Sequence, residues 1–307
     1  MATITYSVLD TDGIRMDLMV ENEVRALLHD GASIRNSGAL LFAGDIAGMG
    51  SDVLALRYSS LDGYTPMASV ADGSEITSSD LTNATADISI GRIGLRYDLT
   101  DLAVLTKLGS DIDVFRLAQS MAGAFEAAFM QQVCATFTTF SSDVGSSGVD
   151  MSVDDFLDAV YILELENNPS QLFAVLHPRQ IADLTSSIRN ETGNAIAFNP
   201  ANHDLLKALG TGYVGDFLGV QIHKSSYVTE SGGDKKGAIF SAGAIAYALG
   251  TPMPLVAPSG EIRPAGTPIL VEMERDSAYS LTKIVGTAYC GAIKAEDARG
   301  VLVSTDA

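Results

Sequence analysis

Val53-Leu54-Ala55-Leu56-Arg57-Tyr58 and, further on, Ile88-Ser89-Ile90-Gly91-Arg92-Ile93-Gly94-Leu95-Arg96-Tyr97-Asp98-Leu99 are two runs in which apolar and polar residues alternate. Alternation with a period of two marks strands that bury one face. Between the runs, Leu61 to Ala86 is dominated by Ser, Thr, Asp, Gly and Ala, with few large apolar groups. The stretch from Asp52 to Asp101 therefore reads as a long hairpin arm whose tip has almost nothing to fold around. Such an arm cannot bury itself in its own domain and is expected to lie on a neighbouring subunit. In the return run Ile88 and Ile90 keep one phase, and Ile93, Leu95, Tyr97 and Leu99 keep the other. The slip falls at Gly91-Arg92-Ile93-Gly94 and predicts a bulge or sharp twist.

Directly behind the arm comes the strongest helical pattern of the chain. Ser110 can cap it with Asp113 as a capping-box partner. Asp111 and Asp113 suit the positive N-terminal end. Leu117, Met121, Phe125, Ala128 and Gln132 trace one stripe beside Phe129, Val133 and Phe137. From Ser110 to Phe137 the helix would run about 40 Å, longer than one compact domain requires.

The Ser/Gly-rich stretch Phe140–Asp150 reads as a domain boundary, and beyond it the pattern becomes α/β. Ser152 caps a helix reaching to about Asn167, with Asp155 at its third position. Leu172–Leu176 is a buried strand, and His177-Pro178 opens a helix with Ile181, Leu184 and Ile188 on one face. Residues 190–216 read as loop with a helical piece at His203–Leu209. Val214–His223 reads as a strand broken at Gly219, and Ala238–Leu249 as strand, helix or both. Ile269–Glu274, Ser280–Ile293 and Val301–Ser304 alternate as strands, with Val285, Thr287, Tyr289 and Ile293 on one face. Ahead of the arm, Met16–Asp30 fits a short helix and Gly31–Ser51 an extended or irregular segment.

The 307 residues are 47% hydrophobic and only 7% aromatic, without Trp, so the core relies on Ala, Val, Ile, Leu and Met. Such a chain is not disordered. Its formal charge of −19, from 38 acidic and 19 basic residues, repels phosphate. Sequence-specific DNA binding is thereby disfavoured, while a wall enclosing nucleic acid without adhering to it, or simple solubility, fits. Cys134 and Cys290 read as small core residues, with neither disulfide nor zinc spacing. Met1–Asp12 carries no signal-peptide pattern. Gly237–Gly260 is uncharged but is broken by Pro252, Pro254 and Pro258, so no membrane span is expected. A soluble chain made in the cytoplasm follows.

Tests for chemistry nominate no residue. A literal GxGxxG at Gly210–Gly215 has a helix before it and a strand after it, the reverse of the dinucleotide motif. His29, His177, His203 and His223 are scattered, without metal-ligand spacing. His177, ahead of Pro178, reads as turn-forming. Asp154-Asp155 and Glu164/Glu166 read as a solvated helix face. No nucleophile elbow or Walker loop is present. The sequence thus points to no catalytic, cofactor-binding or metal-binding residue, and to no enzyme.

In their order these parts resemble the major capsid proteins of tailed bacteriophages, which have the Hong Kong 97-type fold. Val53–Leu99 followed at once by Ser110–Phe137 looks like that family's E-loop and spine helix. Leu172-Phe173-Ala174-Val175-Leu176-His177-Pro178-Arg179-Gln180 is similar to its axial-domain strand and helix. Gly215-Asp216-Phe217-Leu218-Gly219-Val220-Gln221-Ile222 with Ser225-Ser226, Lys236–Phe240 leading to Ala244–Ala246, and Val271–Asp276 onward to Gly300-Val301 resemble later segments. The resemblance implies an α+β fold. Its parts would be an N-terminal arm (1–51), an E-loop (52–104), a peripheral domain with the spine helix (105–150), an axial domain (151–268) and closing strands returning to the peripheral domain (269–307).

The function this implies is structural. Hexamers and pentamers of the chain would close an icosahedral phage head around double-stranded DNA, in a virion assembled in the host cytoplasm. The implied partners are further copies of itself, a separate scaffolding protein (residues 1–51 are short for a built-in one), a portal and a decoration protein. Some members crosslink through a lysine on the E-loop, but residues 52–104 contain Arg57, Arg92 and Arg96 and no lysine, which implies a non-covalent latch. Arg57, Asp62, Tyr64, Glu75, Arg92 and Arg96 are the expected intersubunit contacts. An encapsulin-type compartment shares the fold and stands as the nearest alternative. A hydrolase with a spatially assembled Ser/His/Asp site is another, and a tail-tube or adhesion protein a third.

Overall fold

After a short helix α1 (Ser33–Asn36) and a strand β1 (Leu41–Asp45), the two sides of the arm form β2 (Val53–Ser59) and β3 (Asn83–Ser89). The structure, a computed structural model, describes residues 23–24, 33–46, 51–59, 69–76, 83–102, 114–165, 171–190, 199–200, 213–250 and 269–306. β2 and β3 pair antiparallel from Val53↔Ser89 to Ser59↔Asn83. The return run does not continue as one hairpin strand. After Ile90 it resumes as β4 (Gly91–Thr100), which belongs to another sheet. Ala86, Ile88 and Ile90 are buried, and beyond them Ile93, Leu95, Tyr97 and Leu99 turn inward. The predicted phase slip is therefore the point where the chain passes from the arm into the body.

The helix that follows, α2 (Val114–Phe137), has 24 residues and is about 36 Å long. The expected cap at Ser110, the helices expected at Met16–Asp30 and His203–Leu209, and Gly210 lie wholly or mostly outside the described residues. Beyond α2 come β5 (Ser142–Val144), α3 (Val153–Leu165), β6 (Leu172–Leu176), α4 (Pro178–Asn190), β7 (Asn199–Pro200), β8 (Tyr213–Phe217) and β9 (Val220–Lys224). They are followed by β10 (Glu230–Ser231), β11 (Asp234–Ser241), β12 (Ile245–Gly250), β13 (Ile269–Asp276), β14 (Leu281–Lys294) and β15 (Gly300–Asp306).

Local chemistry sets these boundaries. Ser152 and Asp155 form the reciprocal capping box: the Asp155 amide donates to Ser152 Oγ at 3.1 Å and the Ser152 amide to Asp155 Oδ2 at 2.9 Å. His177 shapes the turn into α4, its Nδ1 accepting from the Arg179 amide at 3.2 Å and its own amide donating to Gln180 Oε1 at 3.0 Å. The break expected at Gly219 is a two-residue hairpin turn, with Leu218 at φ 52° and Gly219 at φ 81°. The ambiguous Ala238–Leu249 resolves into the end of β11, a turn at Ala242-Gly243, and β12.

Two sheets result. In the five-stranded one, β14 pairs with β4 along one side and with β13 and then β12 along the other, and β1 adds parallel to β12. The segment before the arm, expected to be extended or irregular, thus contributes a strand. In the eight-stranded sheet the order is β5-β15-β11-β6-β9-β8-β7, with β10 on β11. β15 joins this sheet rather than following β13 and β14, because its register with β11 runs from Gly300↔Phe240 to Asp306↔Asp234. The Ser/Gly-rich stretch after α2 supplies β5, parallel to β15.

α2 packs on both. Ala118, Met121 and Phe125 lie with Ile284, Ala288 and Val271 on the five-stranded sheet. Phe129, Val133, Cys134 and Phe137 lie in a cluster that also takes Tyr247 and Cys290 from that sheet and Phe173, Val175, Ala238 and Phe240 from the other. Phe129 and Phe137 are fully buried, and truncating such a residue to Ala typically costs about 3–5 kcal/mol. On the opposite face of the eight-stranded sheet, α3 and α4 cover Ala174, Leu176, Ile222 and Ile239. The buried Gln180 ties this layer together, its Nε2 donating to Val303 O at 3.2 Å and Thr305 Oγ1 at 2.9 Å.

Two tests follow from this packing. A Cβ on Gly291 would overlap the carbonyl oxygen of Ser89 and come 3.3 Å from Ile88 Cγ2. Gly291→Ala is expected to lose about 1–3 kcal/mol of stability by overpacking, read as a lower urea midpoint. His223 is 2% exposed, and neither ring nitrogen has a hydrogen-bond partner among the described residues. Burial alone lowers its pKa from 6.5 to about 4. The unfolded chain therefore takes up the proton first, and stability present above pH 6.5 is lost toward pH 4, on the order of 3 kcal/mol. Urea midpoints measured between pH 7 and 4.5 should fall more steeply for the native chain than for His223→Leu, and equal slopes would exclude His223 as the source.

Candidate assembly interface

The base of the arm is anchored in its own subunit, contrary to the expectation that the arm has no core of its own. Leu54, Ile88 and Ile90 pack with Ala246, Ala248 and Ala295. On β12 the neighbours of these alanines, Ile245 and Tyr247, face α2. The arm base and α2 therefore sit on opposite faces of the five-stranded sheet. Val285, Thr287, Tyr289 and Ile293 alternate with Ile284, Gly286, Ala288 and Cys290, so the grouping expected from sequence is the face turned away from α2. The Ile90 amide donates to Asp52 O at 3.0 Å, closing the base where the two strands meet.

β4 carries this division further. Its inward residues Ile93, Leu95, Tyr97 and Leu99 lie under α2, and the Tyr97 hydroxyl is hydrogen-bonded to Ser120. Its outward residues include Arg92 and Arg96, both exposed, in register with Tyr289 and Val285. Arg96 pairs with Asp98 at 2.8 Å, and Lys283 pairs with Asp276 at 2.7 Å. Arg275 grips Asp101 through two bonds of 2.7 Å, which holds the Asp101 carboxyl below its ordinary range. The exposed Arg96–Asp98 and Arg275–Asp101 pairs contribute little to folding. They leave a charged sheet face available to another surface.

Of the expected contact residues, Arg92 and Arg96 thus share one outer face. Glu75 is exposed in a separate described segment, just past a turn closed by Ser74 N to Ala71 O at 3.0 Å. Arg57 lies in β2, and Asp62 and Tyr64 lie outside the described residues. Sequence reasoning did not single out the N-terminal anchor on α2. Arg35 pairs with Glu126 at 2.6 Å, and its guanidinium stands 5.9 Å from the rings of both Phe125 and Phe129. Burial raises the Glu126 pKa, and Arg35 opposes that rise. Nor did it single out Leu157, Tyr161 and Leu165 on α3, Leu218 in the β8–β9 turn, or Tyr279 and Leu102 beside the Arg275–Asp101 pair, all exposed. For α3 the signal was present, since apolar residues recur at four-residue spacing outside the buried stripe.

Chemistry finds little footing. A cavity of about 70 Å³ between α2 and the sheet is lined by Ile93, Leu95, Met121, Phe125, Ile269 and Ala288, among others, without a titratable side chain. An open groove of about 470 Å³ at the arm base holds Cys290 and Lys294. Burial pushes the Cys290 thiol up to about 11 and the Cys134 thiol up to about 12, so neither is a nucleophile near neutrality. Lys294 is bound to Thr139 O at 2.6 Å and Asp297 at 2.7 Å. Among the described residues no group of three His, Cys, Asp or Glu could hold a metal ion, and no helix is long and apolar enough to cross a membrane.

Neither a family model nor a curated protein matches the sequence. Solved structures do. A structure from Mycobacterium phage Che8 matches with a TM-score of 0.59 over 87% of this chain and 90% of that one, at 13% identity. The capsid of the Cyanophage P-SCSP1u matches with 0.57 over 89% and 88%, at 14% identity. The SrpI encapsulin of Synechococcus elongatus matches with 0.56 over 83% and 82%, at 12% identity. The chain has the α+β fold of the Hong Kong 97-type capsid proteins.

The outward arginines of β4 give a direct test. Arg92→Glu and Arg96→Glu are each expected to leave the subunit soluble with an unchanged urea midpoint, and to reduce the yield of assembled particles in sedimentation. Normal particle yields from both variants would exclude this face from assembly.

Proposed function

We propose that this chain is the major capsid protein of a tailed bacteriophage, building an icosahedral head from hexamers and pentamers around double-stranded DNA. The observation that carries this reading is the match to phage capsid structures over nearly nine-tenths of both chains, at the level of fold. The anchored arm, long spine helix and two sheets supply the physical logic, since a β-hairpin rooted in one subunit can span to the next. The acidic surface, −19 in formal charge, suits an inner wall that releases DNA. The role is structural rather than catalytic.

The same reading extends to partners. A separate scaffolding protein and a portal would direct assembly in the host cytoplasm, and a decoration protein would bind the finished shell. With no lysine in residues 52–104, the latch between subunits is non-covalent. A second reading, a protein compartment, is favoured by the similarity to the SrpI encapsulin. Co-purified contents separate the two: nuclease-protected genomic DNA supports the phage head, and a packaged enzyme supports the compartment.

Electron microscopy of the purified chain is expected to find closed shells, while only discrete small particles would overturn the proposal. Mature particles dissolved in detergent should migrate on a denaturing gel as single chains. A ladder of covalent oligomers would refute the non-covalent latch.

A further inference from the structure

Between Arg57 and Arg92 the chain carries five carboxylates, Asp62, Asp72, Glu75, Asp80 and Asp87, and no Lys, Arg or His. The arm beyond Arg57 is therefore acidic throughout, a sharper bias than the 38 acidic and 19 basic residues of the whole chain. In its described segment, residues 69–76, Asp72 and Glu75 are exposed. Neither makes an ion pair or a side-chain hydrogen bond among the described residues. Ile76, next to Glu75, is 78% exposed.

Unmatched charge of the opposite sign stands on the outer face of β4. Arg92 and Arg96 are exposed there, four residues apart and so about 13 Å from each other on one face. Arg92 makes no ion pair among the described residues, and the partner of Arg96 is its strand neighbour Asp98. The arm of the same chain leads away from these arginines. A single residue, Ile90, separates β3 from β4, too few for a chain reversal. Asn83 and Arg96 thus stand toward opposite ends of one extended run of about 43 Å. Acidic arm and basic strand face are complementary, yet each is left unmatched in its own subunit.

Charge also selects among the surfaces of a second copy. Glu272 and Glu274 are exposed on the β13 side of the same sheet, and Asp154, Asp158 and Glu164 on α3. Both surfaces repel an acidic segment. Beside Arg96 and Arg92 stand Val285 and Tyr289, in register with them and half-buried, which offer apolar cover to Ile76. We infer that the acidic arm of one copy lies across the outer face of β4 of a neighbouring copy, with Asp72 and Glu75 facing Arg92 and Arg96. In this contact the arm supplies carboxylates and the body supplies arginines. The two surfaces differ, so the contact is head-to-tail and closes into a ring when repeated by rotation. The inference rests on the shell-forming reading and names the surface on which the arm comes to rest.

A charge swap tests it. Asp72→Arg together with Glu75→Arg should leave the urea midpoint unchanged and cut assembled material about tenfold or more at fixed chain concentration. Adding Arg92→Glu and Arg96→Glu to the same chain reverses the sign on both sides and should restore assembly to within about threefold of wild type. Losses that simply add, with no restoration, would place the arm against another surface and overturn the inference. In an equal mixture of Glu75→Cys and Arg92→Cys subunits, a short bismaleimide should give crosslinked dimers that neither variant gives alone. Cys134 and Cys290 are buried and do not compete. If wild-type chain forms shells and the arm variant does the same, with no mixed crosslink, the inference fails and the shell reading stands. If wild-type chain stays monomeric by light scattering, both fail.

Discussion

The burial of one face of α2 by two different sheets is the constraint on which the molecule depends. Its N-terminal half is held by Ile284, Ala288 and Val271, and its C-terminal half by Phe173, Val175, Ala238 and Phe240. Phe129 touches the five-stranded sheet edge-on at Tyr247, 5.3 Å between ring centroids, and Phe137 reaches Phe240 in the other sheet at 6.0 Å. A helix about 36 Å long could not bury its apolar stripe on either sheet alone. The sheets in turn share few strand connections, the turn from β11 to β12 at Ala242-Gly243 being one. Removing the helix would therefore separate the sheets as well as expose their faces.

That arrangement explains where the arm can leave the body. One face of the five-stranded sheet is taken by α2, so the hairpin base must use the other. Ala246 and Ala248 are small enough to admit Leu54 and Ile88, and Gly291 lacks the Cβ that would strike Ser89. Glycine is required there for closeness of approach, not for an unusual dihedral angle. The anchoring is confined to the base. The outward run Arg92, Arg96 and Asp98 stays solvent-facing because its side chains stand on the same face as the departing arm, where no helix among the described residues covers them.

Much of this was legible in the residues, and the failures have physical causes. The period of 3.6 in Met121, Phe125, Phe129 and Val133 was strong enough to place α2 to its last residue, Phe137. Ser152 and Asp155 announced their capping box, and Pro178 its helix. The slip between Ile90 and Ile93 was read as a bulge or sharp twist, and it is the point where the strand changes sheet. A period of two reports which side of a strand is buried and carries no information about which sheet buries it. For the same reason the uniform apolar run Ala238–Leu249 could not be divided: both of its strands are covered on both faces, so no alternation survives. Gly31–Ser51 could be read only as extended or irregular, because the five-residue edge strand Leu41–Asp45, with a glycine in it, has too few apolar positions to show a pattern. Arg92 and Arg96 were proposed as contacts from their charge in an apolar run, and the structure adds that they share the outer face of β4. The left-handed angle of Leu218 was not foreseen, because nothing in the residues shows it until the turn is seen.

A chain with formal charge −19 must overcome repulsion from every neighbouring copy before any contact can form. Screening at physiological ionic strength reduces that repulsion beyond about 8 Å but not at the contact itself. In the proposed shell, local charge at each contact would have to differ from the global average. The outer sheet face has that property, with Arg92, Arg96 and Lys283 set among Asp98, Asp276 and Glu274 so that neither sign dominates. The α3 row has large apolar side chains at its centre, with Asp154, Asp158 and Glu164 exposed at its side. Apolar burial supplies the attraction at such contacts and the basic residues remove the penalty. With 19 basic residues against 38 acidic ones, an exposed basic group on an outer face, such as Arg92 or Arg96, is where, in the proposed shell, an otherwise repelling surface could accept a copy of itself.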